Sequence, residues 1–215
     1  MKRLRLSYIY GESAMARLRM LSRIILSTAL LGAVLGLSGC GINTIPRLDQ
    51  QVKANWAQVQ NEYQRRADLV PNLVATVKGY ATHEDKVLDE VTQARAKVGQ
   101  MQIPQDILTN PQAFKAFEQN QGALTTALQH LMVVTENYPN LKANENFLSL
   151  QSQLEGTENR IAVARRDYIL AVQQYNTELT TIPGRWYRSM FYSDKQVMQN
   201  FTASESSQEA PKVQF

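Results

Sequence analysis

Between Leu141 and Ile182 one set of residues recurs three and four apart without a slip: Phe147, Leu150, Leu154, Thr157, Ile161, Ala164, Tyr168, Ala171, Tyr175, Glu178 and Ile182. That spacing is one face of a helix, and only Thr157 and Glu178 interrupt its apolar character. At 1.5 Å rise per residue the helix spans roughly 60 Å. So long an apolar seam has to be covered, and the rest of the chain is expected to supply the partner helices.

Three further segments carry the same period. Leu48, Val52, Trp56, Val59, Tyr63, Val70, Val74 and Val77 predict a first helix from near Arg47. Pro71 falls inside it, and because the apolar face resumes in phase, a kink is expected there and not an end. Gly79 is the expected stop, with Thr82-His83-Glu84-Asp85 as a capping-box candidate for a second helix carrying Val87, Leu88, Val91, Ala94 and Val98. Asn110-Pro111 supplies a cap and first position for a third helix, on which Phe114, Phe117, Gln121, Leu124, Leu128, Leu131, Thr135 and Tyr138 share a face. No stretch alternates apolar and polar as a strand does. The expected fold is all-α, a long up-and-down four-helix bundle over residues 47–183. The runner-up is a three-helix arrangement in which Thr82 does not break the chain.

The formal charge of +4 is concentrated at the start. Residues 1–39 hold six basic side chains against Glu12 alone, which leaves 17 basic and 18 acidic residues for the remainder. A nucleic-acid partner is therefore not expected. Arg17, Arg19 and Arg23 precede the apolar run Ile24–Gly36, too short to span a bilayer and arranged as a secretory signal. Met15 and Met20 are alternative starts to Met1. Leu37-Ser38-Gly39-Cys40 matches the lipobox of bacterial lipoproteins. Residues 1–39 read as its signal peptide, and Cys40 as the lipidation site, carrying diacylglycerol and palmitate-type acyl chains. Two or more chains hold a protein firmly to a membrane. Gly41 in place of Asp points to the outer membrane of a bacterial envelope, facing the periplasm, with residues 40–46 as a short leash.

Tyr63-Gln64-Arg65-Arg66-Ala67-Asp68-Leu69-Val70-Pro71-Asn72-Leu73-Val74 resembles the signature of the LemA family, as does Val77-Lys78-Gly79-Tyr80-Ala81. Tyr138–Phe147, Leu154–Arg165 and Tyr175-Asn176-Thr177 extend the resemblance, which covers roughly Thr44 to Pro183. It implies an all-α bundle in a membrane-attached envelope protein and no particular reaction. The lipobox departs from relatives that resemble proteins held by an uncleaved N-terminal helix. After Pro183 the chain is expected to drift from the family pattern.

Chemistry-bearing constellations are sparse. His83 lacks the second histidine of a zinc-protease helix, and no glycine loop or nucleophile elbow is present. No catalytic, cofactor or metal residue is expected. One polar cluster is: Arg65, Arg66 and Asp68 on the first helix facing Glu155, Glu158 and Arg160 on the fourth. It is either a site for an anion or acid-base work, or an ion-pair network fixing helix register. Gly156 is expected to let helices approach closely at that level. Trp186, Tyr187, Met190 and Phe191 share one face within residues 184–202 and are expected either to lie in the membrane interface or to cap the bundle. Residues 203–215, rich in Ser, Glu and Gln, read as a disordered tail. The functional expectation is a non-catalytic scaffold, adaptor or accessory subunit with an unknown envelope partner. The alternative is a ligand-binding or enzymatic module using the Arg/Glu cluster. The heptad-like, coiled-coil character of the seams also allows a homo-oligomer.

Overall fold

The computed structural model describes residues 20, 28, 41–81 and 83–202. The lipobox with Cys40, Thr82 of the capping-box candidate and residues 203–215 lie outside the described residues. Residues 1–44 and 45–215 are two compact units. The described residues are all-α, and from residue 44 onward six helices follow: α1 Thr44–Lys78, α2 Asp85–Gln100, α3 Pro111–Thr135, α4 Pro139–Lys142, α5 Glu145–Thr180 and α6 Gly184–Phe191. No described helix is long and apolar enough to cross a membrane.

α1 runs unbroken through Pro71, because Val70, Leu73 and Val77 keep its apolar side buried across the proline. Its end is a turn at Gly79, where the Tyr80 and Ala81 N–H groups both donate to the Val77 carbonyl at 3.0 and 2.9 Å. That break between α1 and α2 removes the three-helix arrangement. α2 begins at Asp85, two residues later than a Thr82 cap implies. Glu84 stands at its N-cap without capping it, and its carboxylate instead accepts the Tyr138 hydroxyl at 2.8 Å, a tertiary bond that the local motif does not encode. α3 starts as its sequence dictates: Asn110 Oδ1 accepts from the N–H groups of Gln112 and Ala113, both at 3.1 Å, with Pro111 in the first position.

α5 is the long seam, with two corrections. It opens at Glu145, since Asn144 caps it by accepting the Phe147 N–H, while Leu141 belongs to the single turn of α4. At its far end Ile182 is 64% exposed and Glu178 only half-buried, and Val172 and Leu179 are buried instead. A strict 3.5-residue repeat drifts about 20° per heptad on a straight helix, so over three heptads the core side passes to the neighbouring positions.

Side-chain pairs set the directions. Asn55 meets the Asp167 carbonyl, Glu62 meets Arg160 and Arg66 meets Glu158, so α1 and α5 are antiparallel. Trp56 packs on Phe114 and Phe117, and Arg66 reaches Gln121 and Thr125, so α1 and α3 run the same way. Glu90 to His130 and Glu84 to Tyr138 make α2 antiparallel to α3.

The core divides in two. One cluster joins Val70–Val77 of α1 to Val87–Ala94 of α2, Leu124–Leu131 of α3 and the first turns of α5. The other joins Ile45–Tyr63 of α1 to Phe114 and Phe117 of α3 and to α5 from Ile161 to Leu179. α2, only 16 residues long, contributes nothing to this second cluster. Its place is taken by Ile107 and Leu108 from the α2–α3 loop and by Met198 and Phe201 from the segment after α6.

Candidate functional site

A polar layer lies between the two apolar clusters. At its centre is Arg66, 1% exposed. Its Nη1 donates to Thr125 Oγ1 at 2.6 Å and to Glu158 Oε1 at 3.1 Å, and its Nη2 to Gln121 Oε1 at 2.8 Å and the Gln121 carbonyl at 3.0 Å. Among the buried side-chain polar atoms of the described residues, Arg66 Nε alone lacks a hydrogen-bond partner. Beside this fork, Arg160 Nε donates to Glu62 Oε2 at 3.0 Å and its Nη2 to Thr157 Oγ1 at 2.7 Å. Glu62 and Thr157 are both buried. Burying charge without partners is costly, and here the partners come from three helices at once.

Of the expected cluster, Arg66, Glu158 and Arg160 thus belong to one layer. Arg65 and Asp68 do not: both are exposed on the other side of α1, where Asp68 accepts from Gln64. They stand one and two residues from Arg66, and a step of 100° or 200° turns them away. Glu155 is exposed and accepts from Gln151. Gly156 does not mark a close crossing, since an added Cβ there would meet only Arg160 Nη1, at 3.5 Å. Glu62, Gln121, Thr125 and Thr157 complete the layer. Their signal in the sequence was a polar residue in phase with an apolar face, as at Gln121 and Thr157.

Next to the layer, an open groove of about 700 Å³ runs between α3 and α5. Leu128, Met132, Val133 and Leu154 supply its apolar surface, with Glu155 and Glu158 along one rim. Among the described residues no group of three or more His, Cys, Asp or Glu is placed to hold a metal ion. His130 Nδ1 pairs with Glu90 at 3.0 Å on the surface.

The aromatic segment splits by burial. Trp186, Met190 and Phe191 on α6 are 59%, 72% and 56% exposed, with Ile182 beside them, whereas Tyr187 is half-buried against the core. Gly184 allows α6 to start at all: an added Cβ would fall 2.0 Å from the Glu178 carbonyl oxygen. The chain then turns back along α5. Arg188 donates to the Lys195 carbonyl, Asn176 exchanges bonds with the Met198 N–H and carbonyl, and Tyr168 donates to the Gln199 carbonyl. The Gln199 N–H ties this returning segment to the α2–α3 loop by donating to the Leu108 carbonyl at 2.6 Å. Phe201 enters the ring cluster of Trp56, Phe114 and Tyr168, under the Arg165 guanidinium. Lys195 Nζ lies 3.4 Å from the buried Asp49, so α6 sits at the end of the helices where α1 begins.

Comparison with known proteins adds the family. Magnetosome proteins MamQ 1 and MamQ 2 of Paramagnetospirillum magneticum are each 26% identical over 157 residues, covering 66% of this chain and 58% of theirs. Protein LemA of Metamycoplasma hominis is 23% identical over 140 residues, covering 65% and 59%. The chain therefore spans less than two thirds of the length of these relatives. The LemA profile matches residues 55–215, continuing past Pro183 through the segment expected to depart from the pattern. Matched over most of its length, the chain belongs to the LemA family.

Proposed function

We propose that the chain is a lipid-anchored protein of the bacterial envelope that works as a non-catalytic scaffold, adaptor or accessory subunit, with residues 47–183 forming an up-and-down four-helix bundle. The observation that carries this reading is one of position. Cys40 of the lipobox stands four residues ahead of Thr44, so an acyl anchor on it is tethered within about 14 Å of the start of α1. The exposed face of Ile182, Trp186, Met190 and Phe191 lies at that same end of α1. An aromatic, amphipathic helix suits the headgroup boundary of a bilayer. Gly41 after the acylated cysteine favours the outer membrane. The polar layer supports a structural role for the buried charges, since those of α1 and α5 are engaged with one another.

The groove beside that layer favours a second reading, a ligand-binding or enzymatic module in which Glu155 and Glu158 meet a small molecule. Crosslinking in intact cells, with mass spectrometry of the captured species, separates the two. A reproducible envelope partner that persists in a Glu155→Ala variant supports the adaptor. Capture of the chain by itself alone identifies a homo-oligomer and removes the adaptor. The anchor has its own test: Cys40→Ala should yield an uncleaved precursor that takes up no labelled fatty acid. A variant that matures normally and stays with the membrane rejects the lipoprotein reading.

A further inference from the structure

The groove between α3 and α5 is apolar at its floor and acidic along one rim. Leu128 and Leu154 lie buried in it, Met132 is half-buried, and Val133 stands exposed at its edge. On α5, Leu148 is exposed too. It precedes Glu155 by two turns on the same face, so the apolar character of this side continues toward the start of the helix. Glu155 Oε1 accepts from Gln151 and Glu158 Oε1 from Arg66, which leaves the second oxygen of each carboxylate for another donor. No described Lys or Arg lines the groove. From Thr125 to Val133 it follows α3 for about 12 Å, a little over two turns.

We propose that this groove is the docking site for a basic amphipathic helix of an envelope protein partner, which deepens the adaptor reading and rests on it. The walls select a helix. Both are helices whose backbone groups are bonded within themselves, so an extended peptide finds no edge to pair with, whereas a helix arrives with its own backbone satisfied. A small molecule would be covered on one side only, and ligand sites enclose most of what they bind. Position disfavours lipid: Glu155 precedes Thr180 at the end of α5 by about 38 Å, far from the α6 face assigned to the headgroups. The rim selects the charge. Apolar side chains three and four residues apart on the partner meet Leu128, Met132 and Leu154, and Lys or Arg one turn apart meet Glu155 and Glu158, which are themselves one turn apart. Rim charges contribute orientation and on-rate more than affinity. Glu155→Ala, which keeps the floor and Glu158, therefore weakens the docking without abolishing it, whereas charge reversal opposes it.

The probe is a synthetic labelled peptide of about 15 residues, with Leu three and four apart on one face and Lys on the flanks. Fluorescence anisotropy follows its binding to the purified full chain carrying Cys40→Ser. Glu155→Lys is expected to weaken binding about ten-fold, Val133→Asp to do the same, and Asp68→Lys, an equal charge change on the other side of α1, to have less than about a two-fold effect. Equal losses from Glu155→Lys and Asp68→Lys overturn the proposal, as does equal binding of the peptide with Glu in place of Lys. The site is read directly by NMR: the Met132 methyl resonance, identified by its loss in Met132→Leu, should shift on titration while that of Met190 on α6 stays. The reverse pattern overturns the groove. Displacement of the peptide by an equal concentration of octylamine overturns the helix in favour of a small cationic amphiphile. A free chain that sediments as a dimer, and as a monomer in Val133→Asp, overturns the partner in favour of a second copy. A peptide that does not bind at all removes the groove as a docking site, while partner capture in cells still decides the adaptor reading separately.

Discussion

Arg66 is closed off from solvent and bonds from α1 to two further helices, α3 and α5, while the side chain of Arg65 points away from them, so two adjacent arginines make very different contributions. Removing one member of a buried charged network typically costs about 3 kcal/mol or more, because its partners lose their bonds and a cavity is left. Arg66→Ala is therefore expected to lower the urea-unfolding free energy by about 3 kcal/mol, and Arg65→Ala by less than about 0.5 kcal/mol. Equal losses in the two would show that the polar layer does not hold the helices in place. The buried phenols give a pH signature. Burial raises Tyr168 above the ordinary range, and burial together with nearby Asp49 pushes Tyr175 up to about 12. An unfolded chain ionises its tyrosines near pH 10, so between pH 10 and about 12 the folded state holds more protons. The resulting stabilisation is complete below pH 10 and is lost as the pH rises through that window. Urea midpoints should fall across it, and Tyr175→Phe should make the fall shallower.

At the scale of single elements, cap chemistry and space decide where helices start. Asn110→Ala removes an acceptor for two N–H groups at the start of α3 and should cost about 1 kcal/mol in chemical denaturation. Gly184 is required by space: an added methyl would meet the Glu178 backbone oxygen at 2.0 Å. Gly184→Ala should force α6 away from α5 and speed protease cleavage around residues 182–195, with a loss of about 1–3 kcal/mol typical of overpacking. Cleavage at the parental rate would mean that the turn relaxes without moving α6. These elements also show what the sequence encodes locally. Asn110-Pro111 and the α3 face from Phe114 to Thr135 were legible, because a cap and a 3.6-residue period are short-range signals. Glu84 was not, because its partner Tyr138 lies 54 residues away. Arg66, Gln121 and Thr157 could be found one by one as polar breaks in apolar faces. That they meet in one layer, without Arg65 and Asp68, follows only from how three helices register. The turn-back of residues 195–202 had no periodic signature, since it is an extended segment held by backbone bonds to α5 and Leu108.

Across the molecule, the short α2 and the long α1, α3 and α5 leave one half of the core without a fourth helix, and a strap of chain replaces it. The Trp56 half therefore depends on residues distant in sequence, whereas the Val77 half is closed by helices that follow one another. Phe201 is the tightest link in the strap, its ring within 6.3 Å of Trp56 and 5.1 Å of Phe114. Phe201→Ala should cost about 3–5 kcal/mol, the range for truncating a buried aromatic. The loss should be local in kind. With Trp186→Phe leaving Trp56 as the sole indole, its emission should move to longer wavelength as water enters the ring cluster. Amide exchange should accelerate in residues 48–63 and 161–175 while residues 124–131 keep their protection, the boundary falling at the Arg66 layer. Uniform acceleration across α1, α3 and α5 would mean instead that the two clusters open as one cooperative unit and that the polar layer couples them.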